Sequence, residues 1–324
     1  MSKKTIVLIA PTVFGFYQHI KIALEKLDIN VCVIDELPYS RYPLIRKLFL
    51  KLPKQLKSHI FRAYILNLKS TCCDTLFLIR GELFTFDILN DLEFKFAPKN
   101  RVMYQWDFEK NLPLLKQQIP YFNRVFTFDK DDSNKLNLTH KPLFFNPLHQ
   151  AYAKNNIKEK YLVSFVGTHH SDRYEFSQLF LKLNPKLAKQ SLIYLLRSKM
   201  SFFLNKYIKQ NKLGGISFSE IKSRPLTEIE TLEVLSASRA ILDIHQPGQQ
   251  GLTIRTFEAL GLQKKLITTN PQVKKYDFYN PNNILVVDRG NPVVPDSFMN
   301  TPYEPTPIKI YNKYLVTHWV KDFI

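Results

Sequence analysis

Apolar residues gather along this chain in short blocks, and polar or helically spaced segments separate them. The blocks at 5–10 and 31–35 flank a segment, 16–27, whose apolar positions recur at helical spacing. Blocks at 76–80, 101–105, 124–128 and 142–145 continue the rhythm, with helical segments between most of them. Strands that are apolar throughout, each followed by a helix, predict a parallel sheet covered on both faces. The rhythm breaks at Asn146-Pro147 and the polar stretch 153–160, then resumes at 161–166, 192–196, 216–218, 240–244, 265–268 and 284–287. The pattern predicts an α/β protein with two doubly wound domains, residues 1–152 and 153–305. Pro292, Pro295, Pro302, Pro305 and Pro307 punctuate the approach to a final helix at about 309–323, within a tail of 306–324.

The segment from Asp243 to Asn270 carries the strongest chemical signal. A strand leads into His245-Gln246-Pro247-Gly248-Gln249-Gln250-Gly251, then into a helical run holding Arg255 and Glu258, then into the strand 265–268. Strand, glycine-bearing loop, helix and strand form one βαβ unit. Its right-handed crossover puts the loop at the carboxyl end of a parallel sheet, where open α/β sheets bind ligands. Free amides at a helix start attract an anion, and Arg255 falls within the first turn or so. Glu258, one turn on, can accept hydrogen bonds from hydroxyls. An anion subsite beside a hydroxyl subsite suits a nucleoside diphosphate with its ribose. The competing reading is a plain i,i+3 ion pair on the helix surface, with Gly251 an ordinary turn glycine.

Three further blocks accompany the run from Gln250 to Gly261: Tyr104-Gln105-Trp106-Asp107, Val125-Phe126-Thr127-Phe128-Asp129, and Ser164-Phe165-Val166-Gly167-Thr168 with Asp172-Arg173-Tyr174. Together they resemble the CgeB-like branch of the GT-B glycosyltransferases, found among bacterial surface-polysaccharide proteins. The resemblance implies two Rossmann-like domains facing a ligand cleft. Residues 1–152 would form the acceptor side and 153–305 the donor side, with the last helix crossing back to the first domain. It implies transfer of a sugar from a nucleoside diphosphate donor, UDP or a relative, to lipopolysaccharide, capsule or exopolysaccharide. It implies no metal and no other cofactor. Arg255 would bind the diphosphate and Glu258 the ribose, while Gly167, Thr168, Gln250 and Gly251 would line the donor pocket. Gln250 stands where the best-known retaining members of the fold carry a glutamate directed at the donor sugar.

Other residues admit two readings each. His245 ends its strand as a polar loop residue or as a contact to donor phosphate or sugar. Gly167-Thr168-His169-His170 occupies the first βα turn of the second half, where phosphates dock, or Thr168 merely caps that turn. Two adjacent histidines without further ligands at metal spacing do not make a metal site. Asp129-Lys130-Asp131-Asp132 contains an Asp-x-Asp, which before a helix reads as N-capping. Asp107 is either a helix cap or a base toward an acceptor hydroxyl. Glu82, in Arg80-Gly81-Glu82 at another strand end, is the second candidate base. The uncharged loop 11–16 borders the acceptor by shape alone.

Composition narrows the partners. The chain has 324 residues, 45% of them apolar, and only 9 glycines, so it is globular and not disordered. Its net charge of +18 draws anionic partners: a nucleotide donor, an anionic membrane surface or nucleic acid. Nucleic acid is the weaker reading, because the aromatics lie in apolar runs and do not interleave with cations on one face. Residues 41–57 mix bulky apolar side chains with cations and hold no acid. That composition suits packing on the sheet, or peripheral contact with an anionic inner membrane and a lipid-linked acceptor. Cys32, Cys72 and Cys73 imply no disulfide framework; their apolar settings read as buried reduced thiols in a cytoplasmic protein. The apolar start breaks at Pro11, short of a signal peptide, and no apolar run reaches the roughly 20 residues of a membrane span. A non-hydrolysing nucleotide-sugar epimerase of the same fold, a basic nucleic-acid binder and a non-catalytic scaffold remain as alternatives.

Overall fold

Strands β1 (Thr5–Ala10) and β3 (Thr75–Ile79) are buried almost throughout, as strands covered on both faces must be. The computed structural model describes residues 3–12, 15–36, 45, 48–49, 51–155, 157–197, 220 and 222–324. With β2 (Asn30–Asp35), β4 (Asn100–Gln105), β5 (Arg124–Thr127) and β6 (Thr139–His140), the two strands form a sheet of order β2-β1-β3-β4-β5-β6. Every pairing is parallel. Helices α1 (Phe16–Glu25), α2 (Lys54–Leu66), α3 (Phe86–Phe96) and α4 (Lys130–Leu136) lie between strands. The buried stripe of α3, Ile88, Leu89, Leu92 and Phe96, recurs at helical spacing and meets Phe61 and Ile65 of α2 in one core with Val7, Ile9, Leu76 and Leu78. Asp129 caps α4, accepting from the amides of Asp131 at 2.9 Å and Asp132 at 3.1 Å. The capping reading of the Asp-x-Asp therefore holds.

This first unit spans Met1–Leu143 and also takes in Val316–Ile324. Trp319 donates its indole N–H to the Pro142 carbonyl at 2.8 Å, and Phe323 stacks on Phe77 with ring centroids 4.8 Å apart. Arg124 donates to the carbonyls of Asp322 at 2.9 Å and Phe323 at 3.0 Å.

The second unit, Phe144–Leu315, repeats the plan. It contains α5 (Pro147–Lys154), β7 (Tyr161–Thr168), α6 (Arg173–Leu183), β8 (Ser191–Leu196), α7 (Glu228–Ser236), β9 (Ser238–Asp243), α8 (Ile254–Leu262), β10 (Lys265–Thr268), β11 (Ile284–Val286) and α9 (Ile308–Lys313). The strands are parallel in the order β11-β10-β9-β7-β8. Strand order reverses between β7 and β9, which makes that gap the topological switch point of the sheet.

Several expectations need correction. The first unit ends at Leu143, not at residue 152, because α5 packs on α8: a Cβ on Gly261 would lie 2.6 Å from the Phe145 ring and 2.9 Å from His149 Cβ. The block 142–145 is not a strand of the first sheet; Phe145 instead forms an isolated bridge with Leu315 in the second unit. The last helix is broken into Ile308–Lys313, Val316–Trp319 and a 3-10 turn at Val320–Phe323. The break falls where the Tyr314 carbonyl accepts from the Phe145 amide at 2.9 Å and the Tyr314 hydroxyl donates to Asp277 at 2.5 Å. The tail therefore belongs to the first unit only from Val316 onward. Of the three cysteines only Cys73 is buried; Cys32 and Cys72 are exposed, Cys32 because its edge strand β2 is open on that face. The block 216–218 and most of 41–50 lie outside the described residues.

Candidate functional site at the carboxyl edge of the second sheet

Strand β9 ends in Asp243, which is 2% exposed yet fully provided with hydroxyl donors. Thr253 donates to its Oδ1 at 2.7 Å, and Thr268 and Thr256 approach its Oδ2 at 3.0 and 3.4 Å. A buried carboxylate needs such partners, and here they come from the residue before α8, from α8 itself and from the end of β10. The helix start is thereby fixed over the switch point. Thr253 spends its hydroxyl on Asp243, so no side chain caps the first amides of α8. Those amides carry the positive end of the helix dipole.

Arg255 lies in that first turn and Glu258 one turn on, as the spacing predicts. The two form an ion pair, with little of either side chain exposed. Arg255 Nη2 also donates to the Val166 carbonyl at 2.9 Å. Arg255 Nη1 and Glu258 Oε2 are both buried and are each other's partner in that ion pair. Burial pushes the Glu258 carboxyl up, but the Arg255 charge and His149 outweigh it and leave the group below its ordinary value.

Two more arginines, neither given a role by the sequence reading, join this edge. Arg173 donates to the carbonyls of Ile244 and Thr168, both at 3.0 Å. Arg289 pairs with Asp172 and donates to the His245 carbonyl at 2.6 Å. Ile244 and His245 lie past the end of β9, and Val166 and Thr168 lie beyond the last β7–β9 pair, so their carbonyls lack a ladder partner between these two strands. The guanidinium groups of Arg173, Arg255 and Arg289 supply one. They also stand close enough that burial, then Arg255 and Arg289, weaken the hold of Arg173 on its proton. The guanidinium stays charged regardless.

His245 is buried, its Nδ1 2.6 Å from the Thr269 hydroxyl. Burial and the neighbouring Arg289 lower its pKa; burial and Arg197 do the same for His169. His170 is driven down to about 4 by burial, Arg173 and His169. All three shifts favour the neutral imidazole.

Gly167 and Thr168 are not in a turn. They are the last residues of β7, paired with Leu195 and Leu196 of β8, so the turn begins at His169. Gly167 is small for a packing reason, since a Cβ there would lie 2.6 Å from the Phe165 ring. Gly251 lies in the loop before the helix, which starts at Ile254. Its carbonyl accepts from Gln249 at 2.8 Å and Asn270 at 3.3 Å, and the neighbouring Gln250 is half-buried.

The two candidate bases sit in the first unit, both beside Arg80. Asp107 Oδ1 accepts from the Phe108 amide at 2.9 Å and Asn111 Nδ2 at 2.8 Å, so this oxygen is held against the short turn Glu109–Asn111, whose N-cap residue, Phe108, offers no side-chain cap. Its Oδ2 lies 3.8 Å from Arg80 Nε. Glu82 Oε2 lies 2.6 Å from Arg80 Nη2. Arg80 and Gly81 both adopt φ of 74°, a left-handed conformation that a residue with a side chain rarely takes. Glu36, at the end of β2, braces that turn: its Oε1 accepts from the Glu82 amide at 2.5 Å. Glu36 is completely buried, and burial, opposed by Arg80, pushes its carboxyl up to about 8. No spacing in the sequence singles it out.

Among the described residues, no group of three or more His, Cys, Asp or Glu is placed to hold a metal ion, and no helix is long and apolar enough to cross a membrane.

No protein-family model and no curated protein matches the chain. Solved structures do. An α-glucosyltransferase in complex with UDP and a mismatched 13-mer DNA matches with TM-score 0.58 at 12% identity, over 99% of this chain and 95% of that one. Anabaena HepE, in complex with UDP and glucose, matches with TM-score 0.55 at 11% identity, over 99% and 98%. The UDP-GlcNAc 2-epimerase of Methanocaldococcus jannaschii matches with TM-score 0.52 at 12% identity, over 98% of each chain. The chain has the GT-B fold. Likeness at this identity shows the fold and no more.

Proposed function

We propose that this protein is a glycosyltransferase that moves a sugar from a nucleoside diphosphate donor, UDP-linked or closely related, onto a hydroxyl of a bacterial surface glycan. One observation carries the reading. Arg255 and Glu258 form a buried ion pair on one turn of α8, at the switch point of a parallel sheet. A diphosphate entering there takes Arg255 and the open amides of α8, and Glu258 turns to the ribose. Charge building on the leaving diphosphate meets prepositioned dipoles and a guanidinium, which is the work a metal does elsewhere. Arg173 and Arg289 hold the strand ends in place around it. His245, Gly167, Thr168, Gln250 and Gly251 form the surrounding wall.

Asp107 serves as base through Oδ2, the oxygen not bonded to Phe108 and Asn111, and Glu82 is the reserve. The acceptor belongs to lipopolysaccharide, capsule or exopolysaccharide in the CgeB-like manner. Work at the cytoplasmic face of an anionic membrane fits the net charge of +18. The second reading, a nucleotide-sugar 2-epimerase, is supported by the epimerase among the structural neighbours. Product analysis without acceptor separates the two, since only the epimerase changes the donor sugar alone.

Calorimetry with UDP tests the donor site. A charge-assisted hydrogen bond is worth about 1.5–3 kcal/mol, so Arg255→Ala should weaken UDP binding roughly tenfold to hundredfold. Equal affinity in the variant removes the assignment.

A further inference from the structure

The donor carboxylate has a second neighbour that the proposed function does not use. His149, on α5, is 5% exposed, and its Nε2 stands 3.8 Å from Glu258 Oε1. Its other nitrogen, Nδ1, lies 2.9 Å from Asn146 Oδ1 and accepts from the Asn146 amide at 3.4 Å in the capping box of α5, the tautomer that places the ring proton on Nε2 facing Glu258. Asn146 Nδ2 donates to Glu228 Oε1 at 2.7 Å. Asn146 is itself held as the cap of α5, accepting from the Leu148 amide at 2.9 Å. The imidazole cannot drift away from α8, because the helices touch at Gly261, where a Cβ would come within 2.9 Å of His149 Cβ. Glu258 therefore sits between two groups: Arg255 toward Oε2 and His149 toward Oε1.

That arrangement matters when the donor binds. If Arg255 turns its guanidinium to a diphosphate, Glu258 loses its cationic partner while still buried. A buried carboxylate stripped of one partner is strongly disfavoured unless another group compensates it. His149 is the group in reach, and a small rotation closes 3.8 Å to a hydrogen bond.

We propose that His149 is a positioning residue that holds the Glu258 carboxylate in place for the ribose hydroxyls once Arg255 has moved to the diphosphate. The proposal rests on the donor reading above. It assigns His149 an effect on one part of the ligand only: the sugar hydroxyls of the nucleoside, not the phosphates.

The test compares UDP with 2′,3′-dideoxy-UDP on the full chain, by calorimetry, in wild type, His149→Phe and His149→Asn. Phe fills the space without an N–H; Asn keeps a polar group on α5 but is too short to reach α8. Wild type should prefer UDP about tenfold, the value of a hydrogen bond to a charged group. Both variants should keep the wild-type affinity for the dideoxy compound and lose most of the preference, falling to about twofold. Affinity for the dideoxy compound reports that the site is folded, and if His149→Phe fails that control, His149→Asn decides. A preference that survives in the variants overturns the role of His149 and leaves the donor reading standing. A wild type that binds both nucleotides equally removes the ribose role of Glu258, and this proposal with it.

Discussion

Thr253 donates its hydroxyl to Asp243 Oδ1 at 2.7 Å, so the residue before α8 is tied to the last residue of β9. That one bond links the helix carrying Arg255 and Glu258 to the strand end it must overhang. Thr268 brings β10 to the same carboxylate at 3.0 Å. Asp243→Ala would leave three hydroxyls without their acceptor and Arg173 with Asp172 in place of two nearby counter-charges. We expect a loss of about 2–4 kcal/mol in unfolding free energy, read by urea denaturation at neutral pH. A variant as stable as wild type would mean that α8 is anchored by other contacts.

Gly261 offers a test of the contact between α5 and α8. On helix propensity alone, Gly261→Ala should stabilise by about 1 kcal/mol. The added methyl would meet the Phe145 ring at 2.6 Å and His149 Cβ at 2.9 Å, however. Overpacking of that kind costs about 1–3 kcal/mol. A lower denaturation midpoint is the expected outcome, and a raised one would show that the helices can separate freely.

Glu36 gives the stability a pH dependence with a definite sign. Burial raises its carboxyl from the ordinary 4.5 to about 8, so the native state holds a proton that the unfolded chain has released. A raised native pKa is fully favourable below 4.5 and loses its benefit as pH climbs toward about 8. Over that window this group lowers stability by about 1.4 kcal/mol for each pH unit. Glu36→Gln keeps an oxygen for the Glu82 amide and has no proton to lose. Its melting temperature should exceed that of wild type by several degrees at pH 9, with the gap closing near pH 5. Parallel pH profiles for the two proteins would place Glu36 in water.

Much of this was legible in the chain. Buried strands such as β1 and β3 announce themselves by apolar runs of four or five residues, and the βαβ unit around α8 follows from strand, glycine loop and helical spacing. What the sequence hid depends on tertiary contact. Arg289 lies far along the chain from Arg255, and reaches the same edge because the loop after β11 ends beside β9. His149 reads as one more residue of an amphipathic helix until α5 is laid on α8. Asp107 could be a cap or a base from sequence alone; it does not cap the turn that follows, and one of its oxygens is occupied by Phe108 and Asn111 instead. Gly167 signalled a phosphate turn, but the ladder to β8 runs two residues further than its apolar run suggests. The domain boundary was misplaced because the polar stretch after α5 resembles a linker, whereas α5 is pinned to the second unit by Asn146 and His149.

The donor assignment meets its most direct test in a crystal structure of the full chain with UDP. The expected result is a diphosphate at the amino end of α8 within hydrogen-bond distance of Arg255, with Glu258 on the ribose and its ion pair to Arg255 broken. A nucleotide bound elsewhere, or an Arg255–Glu258 pair left intact at saturating UDP, would contradict it.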